Sequence, residues 1–279
     1  MIWFIYAVLA AFCWGIGQVL LKQGYKNFSP RFIYLLDSCF QIVIYLPFIF
    51  IMGLSFESWP LVLLLSLGTV IANWFYYYAL SKGELALTGT ILASYPSIVI
   101  LLSFLFLGER LNIVQLVAIA MVILGCVFIA LPQGKQKFTF EIWLIWAIAA
   151  AIVIGCADFL SKFAITKNGP YLFMFFLSIF QLPVACLYYF SQKKQAKILP
   201  KMSAQIWIAS LTGVFLLVSG LLFLYLGFNT GPASLVSPIS GAYVIITVIL
   251  SLLFLKEKVN RNQLIGIILA VVGILLTSL

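Results

Sequence analysis

Apolar residues fill the chain in long runs, interrupted by short polar stretches rather than alternating with polar positions. Ten runs can be read, at Ile2 to Leu21, Phe32 to Ile51, Trp59 to Leu80, Leu85 to Leu107, Ile113 to Leu131, Ile142 to Ala164, Tyr171 to Phe190, Gln205 to Phe228, Ala233 to Leu255 and Asn262 to Leu279. Each is close to the ~20 residues that a helix needs to cross a hydrocarbon core ~30 Å thick. Strands of a membrane barrel would alternate over about half that length. The pattern predicts an all-α integral membrane protein with ten transmembrane helices. Although Ala7 and Ala10 imitate a signal cleavage pattern, the first run lacks a basic leader and has a counterpart in the sixth, so it is expected to be retained.

The runs fall into two related sets. Gly83 to Gly125 returns as Gly231 to Gly273 at an offset of 148, which pairs Tyr95 with Tyr243, Ser103 with Ser251, Glu109 with Glu257, Asn112 with Asn260, Gln115 with Gln263 and Gly125 with Gly273. Nearer the start of each half the offset is 140, where Gly15 answers Gly155, Lys22 answers Lys162, Ser38 answers Ser178 and Gln41 answers Gln181. Matches at polar and glycine positions mark an internal duplication, because generic apolar runs would not align them. The repeats are expected at residues 1–134 and 135–279, with a longer loop around Lys193 to Lys201 in the second. Five helices per repeat is an odd number, so two copies of one fold enter the membrane from opposite sides. Such inverted repeats build secondary carriers with a substrate site near midplane.

Composition agrees: 65% of residues are hydrophobic and 8% charged, too few polar groups to cover a water-soluble globule. Lys and Arg number 13 in the loops after the odd-numbered helices and 3 in the others, counting Lys162 at the end of the sixth helix, which places the first set in the cytoplasm and both termini outside the cytoplasmic membrane. The net charge of +9 then lies beside anionic headgroups, and nothing points to nucleic acid. The chain has no histidine, no GxSxG and no Walker loop, so the usual catalytic, metal and nucleotide motifs are missing. No cofactor is expected and the reading is not an enzyme. Cys13, Cys39, Cys126, Cys156 and Cys186 form no CxxC pair and read as small packing residues.

Polar side chains inside the runs are the candidates for function, since each is costly at membrane depth. Asp158 is the deepest acid. It can carry a proton or bind a cationic group, or it can pair with Lys162 at the i, i+4 spacing. Its counterpart, Gln18, is also polar. Lys22 and Lys162 read as side chains reaching out from helix ends. Asp37, near Lys22 and Arg31 in sequence, reads as a structural ion pair at the headgroup level. Gln41 and Gln181 hydrogen-bond a solute from both repeats or tie helices together, and Asn73 has the same two readings. Trp14, Tyr77, Tyr225, Tyr95 and Tyr243 stand on the faces or matched helices where rings would enclose an amine or stack on a flat ring, with ordinary packing the alternative for each. Pro47, Pro96 and Pro183 and the segment Ser237 to Gly241 are expected to open or bend helices. Glu109 and Glu257, just before the expected caps Asn112 and Asn260, read as structural.

The segment Phe104-Leu105-Phe106-Leu107-Gly108-Glu109-Arg110-Leu111, echoed by Leu252-Leu253-Phe254-Leu255-Lys256-Glu257-Lys258, resembles the EamA family of the drug/metabolite transporter superfamily, with Lys256 in place of the first elbow's glycine. The resemblance spans nearly the whole chain. It implies a ten-helix carrier with a central cavity lined by helices one to four and six to nine, helices five and ten lying outside. Family substrates include amines, amino acids, nucleosides and sugar-related solutes. The expected function is a secondary transporter moving a small metabolite by alternating access, as a monomer or homodimer and with Asp158 as the carrier of any coupling proton. The alternative is a flippase or scaffold subunit for lipid-linked sugars.

Overall fold

The sixth and seventh expected helices meet at residues 169 and 170 with almost no loop between them. A computed structural model describes residues 2–25, 28–53, 58–82, 85–107, 112–130, 142–191, 203–254 and 261–276. Within these, eleven helices follow in order: α1 (Ile2–Gly24), α2 (Pro30–Met52), α3 (Trp59–Leu80), α4 (Leu85–Leu92), α5 (Tyr95–Leu107), α6 (Ile113–Ala130), α7 (Ile142–Phe190), α8 (Ala204–Thr230), α9 (Ala233–Gly241), α10 (Tyr243–Phe254) and α11 (Arg261–Leu276). The sixth and seventh predicted helices abut as the 49 residues of α7, which laid straight would measure ~74 Å, more than twice a hydrocarbon core, and they remain two helices joined at a kink. Gly169 breaks α7 into arms 142–168 and 170–190. Its φ of 74° and ψ of 169° end the first arm, and Pro170, which needs no N–H partner, starts the second. Asn168 fixes the corner by accepting a 3.0 Å hydrogen bond from the Ser58 backbone N–H before α3.

A Cβ at Gly169 would meet nothing within 4 Å, so the cost of a side chain there is conformational alone. That backbone region is essentially reserved for glycine, at about 1–3 kcal/mol for any other residue. Gly169→Ala is therefore expected to lower the thermal unfolding midpoint in detergent. An unchanged midpoint would mean that the corner relaxes to negative φ at no cost.

The fourth and ninth predicted helices are each divided at matched places. Ser94 N–H bonds Ile91 O at 3.0 Å and Ser97 N–H bonds Ser94 O at 3.1 Å; 148 residues on, Ala242 N–H bonds Ile239 O at 3.2 Å and Ile245 N–H bonds Ala242 O at 3.0 Å. Both helices tighten to i→i+3 bonding just before a tyrosine. Proline accounts for only the first break, through Pro96. Pro238 lies inside α9, and the second break falls a turn later at Ala242, a correction to the expected weak spot at Ser237 to Gly241. Pro47 and Pro183 are accommodated inside α2 and α7.

Packing repeats the sequence symmetry. A Cβ on Gly15 of α1 would lie 2.6 Å from Ile246 Cβ and 3.1 Å from Tyr243 O, while one on Gly155 of α7 would lie 2.5 Å from Ile98 Cβ and 2.9 Å from Tyr95 O. The first helix of each repeat thus lies directly on the broken helix of the other. Long contacts join α1 to α8 and α3 to α7 in the same exchanged sense. A separate pair, α6 with α11, meets backbone to backbone, a Cβ on Gly125 falling 2.7 Å from Gly266 O. Asn112 immediately precedes α6 as expected; Glu109, Glu257, Asn260 and the stretch Lys193 to Lys201 lie outside the described residues.

Five helices among the described residues, α1, α2, α3, α7 and α8, are long and apolar enough to cross a membrane, and shorter apolar helices accompany them. Large apolar side chains face outward along them, Phe50 at 83% exposure and Leu187 at 73%, as lipid contact requires and water would not favour. The protein is an all-α, multi-pass membrane protein with two repeats. Cys39 is exposed on this outer surface and so is not a packing residue.

Candidate functional site

Where the exchanged helices cross, they leave a cavity of about 120 Å³. At ~10–15 Å³ for each water-sized occupant, it holds on the order of ten small groups, the size of an amino acid or a simple amine. Nine of the ten residues picked out from the sequence line it: Trp14, Gln18, Gln41, Asn73, Tyr77, Tyr95, Asp158, Tyr225 and Tyr243. Their positions follow from the fold. Trp14 and Gln18 are one turn apart on α1 and Asn73 and Tyr77 one turn apart on α3, while Tyr95 and Tyr243 open α5 and α10 at the two helix breaks.

The tenth, Gln181, stands one layer back. Its Nε2 donates to Asp37 Oδ2 at 2.9 Å, and its Oε1 accepts from Asn73 Nδ2 at 2.6 Å. Gln41 Nε2 donates to the same Asp37 oxygen at 2.9 Å, and Tyr77 lines the cavity beside that carboxyl. Asp37 is therefore not a headgroup ion pair. It is 6% exposed and lines the cavity. Arg31, the partner suggested by sequence proximity, instead lies over the Tyr188 ring at 4.5 Å and reaches Ser191 Oγ. The spacing of Asp37 and Gln41, one helical turn on one face, was the sequence signal for this placement.

The reading of Asp158 as an intrahelical pair is also corrected. Lys162 Nζ donates to the backbone oxygens of Phe228 at 2.5 Å and Gly231 at 2.8 Å, where it meets the carbonyl end of α8. It is a cap inside the protein rather than a side chain reaching for the interface. Asp158, 5% exposed, faces the cavity, and among the described residues its carboxyl makes no hydrogen bond or ion pair.

Two further lining groups are short of partners: Gln41 Oε1 and the Tyr225 hydroxyl make no hydrogen bond. Several others are held. Trp14 Nε1 donates to Leu217 O at 3.0 Å with its ring edge-on to Tyr243, Gln18 donates to Tyr76 Oη at 2.5 Å, and Tyr95 shares a 3.2 Å hydrogen bond with Ser240. Tyr76, missed in the sequence, joins the lining because three consecutive tyrosines on α3 necessarily spread over more than one face.

The walls differ in chemistry. Across from Gln18, Gln41, Asn73 and Tyr76 of the first repeat, the second presents Ile154, Leu217, Leu221 and Leu224, with Asp158 and two tyrosines as its polar groups. Among the described residues the lining holds two acids and no lysine or arginine. No group of residues with metal-ligand character occurs among the described residues.

Two related helical units crossing around a polar internal cavity, with an apolar outer surface, define a membrane carrier of small solutes. The sequence model of the EamA-like transporter family matches residues 1–131 and again 141–279, and the chain belongs to that family, within the drug/metabolite transporter superfamily. It is a transporter and not an enzyme. An uncharacterized transporter of Archaeoglobus fulgidus is 25% identical over 98% of this chain and 96% of its own. An uncharacterized protein of Methanocaldococcus jannaschii is 33% identical over 49% of this chain but 96% of its own length. A probable terminal-alkyne amino-acid exporter of Streptantibioticus cattleyicolor is 27% identical over 67% of this chain and 62% of its own. A solved crystal structure superposes with a TM-score of 0.73 at 18% identity, covering 98% of this chain and 95% of the other, which supports the fold alone.

Proposed function

We propose that the protein is a secondary carrier for a small cationic amine or amino-acid-like solute, held by its amino group against Asp158 and moved by alternating access. The observation that carries this is the unpartnered carboxyl at Asp158. A buried acid without a donor is expensive, and in this cavity a solute ammonium would relieve that cost. The tyrosine rings beside it favour the same ligand by cation–π attraction. Gln41 Oε1 and Tyr225 Oη supply further unsatisfied positions for a solute N–H. With no basic side chain among the described lining residues, an anionic solute would find no counter-charge in that set. The amino-acid cargo named for the Streptantibioticus relative fits the same class.

The matching of residues 1–131 and 141–279 to one family and the exchanged glycine contacts support two inverted five-helix repeats, ten spans in all, with α4–α5 and α9–α10 each acting as one broken span. The loop charge supports both termini outside the cytoplasm. A duplicated chain holds both walls of the pathway, so a monomer suffices.

A thermal-shift screen of the purified protein against amines, amino acids, nucleosides and neutral sugars tests the reading. Amine-bearing compounds are expected to raise the midpoint, by the equivalent of about 2.7 kcal/mol at 100 times Kd. Stabilisation by sugars or organic acids, with amines silent, would sink it.

A further inference from the structure

We infer that Asp37, with Gln41 and Gln181, forms a proton-binding site separate from the solute acid Asp158, through which a proton gradient drives the carrier. The inference rests on the reading of the cavity as a transport site. Four observations carry it.

The first is a difference between the repeats. Gln41 and Gln181 match each other, but the position matching Asp37 is Leu177, fully buried and apolar. The fold therefore packs the second repeat without an acid there, and the acid in the first is an addition to a common scaffold. The second is the donor set. Two amide N–H groups converge on Asp37 Oδ2, presenting hydrogens that repel a metal ion, so the cation that fits is a proton. The third is the missing donor: Gln41 is fully buried, yet its Oε1 accepts nothing. A proton added to Asp37 supplies the hydrogen that this part of the network lacks. The fourth is connectivity. The chain Asn73–Gln181–Asp37–Gln41 ties α2 and α3 of the first repeat to the second arm of α7 in the other.

The proton arrives from water, forms an O–H bond on the carboxylate and leaves the same way on the opposite side, with no other bond changed. In the charged state Asp37 accepts strong charge-assisted bonds that hold the repeats together. In the neutral state those bonds weaken, which frees the second arm of α7 to move against α2 and α3. Proton occupancy thereby biases which side is open, and the solute at Asp158 reads that bias. Among the described residues, the titratable groups near Asp37 are Tyr25 after α1, Tyr34 and Tyr45 on α2, Tyr76 and Tyr77 on α3 and Tyr225 on α8; from α7 it is the amide of Gln181 that touches the acid. None is basic, so no fixed cation in this set competes with the proton.

Solid-supported membrane electrophysiology on proteoliposomes, with a pH jump and no organic solute, tests the assignment. The wild type is expected to give a transient charge displacement that Asp37→Asn reduces at least about fivefold, and by more than Asp158→Asn does. Amine stabilisation in Asp37→Asn shows that the variant is folded. Should that variant not fold, Gln181→Leu serves instead, and is expected to shift the pH at which half the charge moves while leaving the total in place. An undiminished response in Asp37→Asn, or no shift in Gln181→Leu, overturns the site. Loss in Asp158→Asn alone moves the proton to that acid, and a sodium jump at constant pH that reproduces the current makes the ion a metal. Amines that stabilise the protein while the pH jump gives nothing leave the solute site standing and remove the coupling; the reverse pattern removes the solute reading alone.

Discussion

Replacing Asp158 with Asn is expected to weaken binding of a cationic amine by about 10- to 100-fold, read by calorimetry or radioligand binding on the purified protein. The substitution keeps the shape of the side chain and removes its charge. A hydrogen bond to a charged partner contributes ~1.5–3 kcal/mol, and each ~1.4 kcal/mol is a tenfold change in Kd. The aromatic neighbours contribute less, ~0.5–2 kcal/mol for a cation over a ring, so the acid dominates and a residual affinity persists without it. Asp158→Glu keeps the charge but extends it by one methylene into a small cavity, and should fall between the two. Because Lys162 is held by carbonyl oxygens of Phe228 and Gly231, removing the carboxylate is not expected to release that lysine, and since the buried acid is itself costly, the ligand-free unfolding midpoint of Asp158→Asn should equal or exceed that of the wild type. An affinity for amines within twofold of wild type would return the site to the amides and rings.

The parts of this arrangement that were legible beforehand are those that obey a repeat. Apolar run length set the helices, and the offset of 148 brought Tyr95 and Tyr243 together because matched residues occupy matched places in a two-fold structure. The break at Gly169 was legible as well, since Lys167-Asn168-Gly169-Pro170 interrupts two apolar runs; what the sequence did not show is how short the joint is, because the positive φ that turns the chain within one residue is a local backbone property. Ala242 breaks its helix with no proline at the break, following the bonding pattern of its partner repeat. Asp37 was misplaced because proximity in sequence to Arg31 says nothing about side-chain direction, whereas the i, i+4 relation to Gln41 already put the acid on the same face as an inward amide. Gln181 was found but put one layer too far in. Symmetry with Gln41 predicts a matched position, and the unmatched Asp37 between them takes up the Gln181 amide.

That symmetry leads to a pair of substitutions with a common outcome. Gly155→Ala is expected to lower the unfolding midpoint sharply and to abolish transport, and Gly15→Ala to do the same. At Gly155 the new methyl would sit 2.5 Å from Ile98 Cβ and 2.9 Å from Tyr95 O; at Gly15 it would sit 2.6 Å from Ile246 Cβ and 3.1 Å from Tyr243 O. In each case the obstacle is a Cβ and a backbone carbonyl, which have no rotamer to give, so the helix itself must shift. Overpacking of this kind costs ~1–3 kcal/mol, against the ~1 kcal/mol that alanine gains over glycine in a helix. The helix that moves is the one that carries Tyr95 or Tyr243 into the cavity, so the site is displaced together with the fold. Gly68→Ala in α3 is the control, since a Cβ there meets nothing within 4 Å and the substitution should be neutral or stabilising. A harmful Gly155→Ala beside a harmless Gly15→Ala would break the equivalence of the two repeats, whereas matched losses would trace the transport defect to one contact used twice.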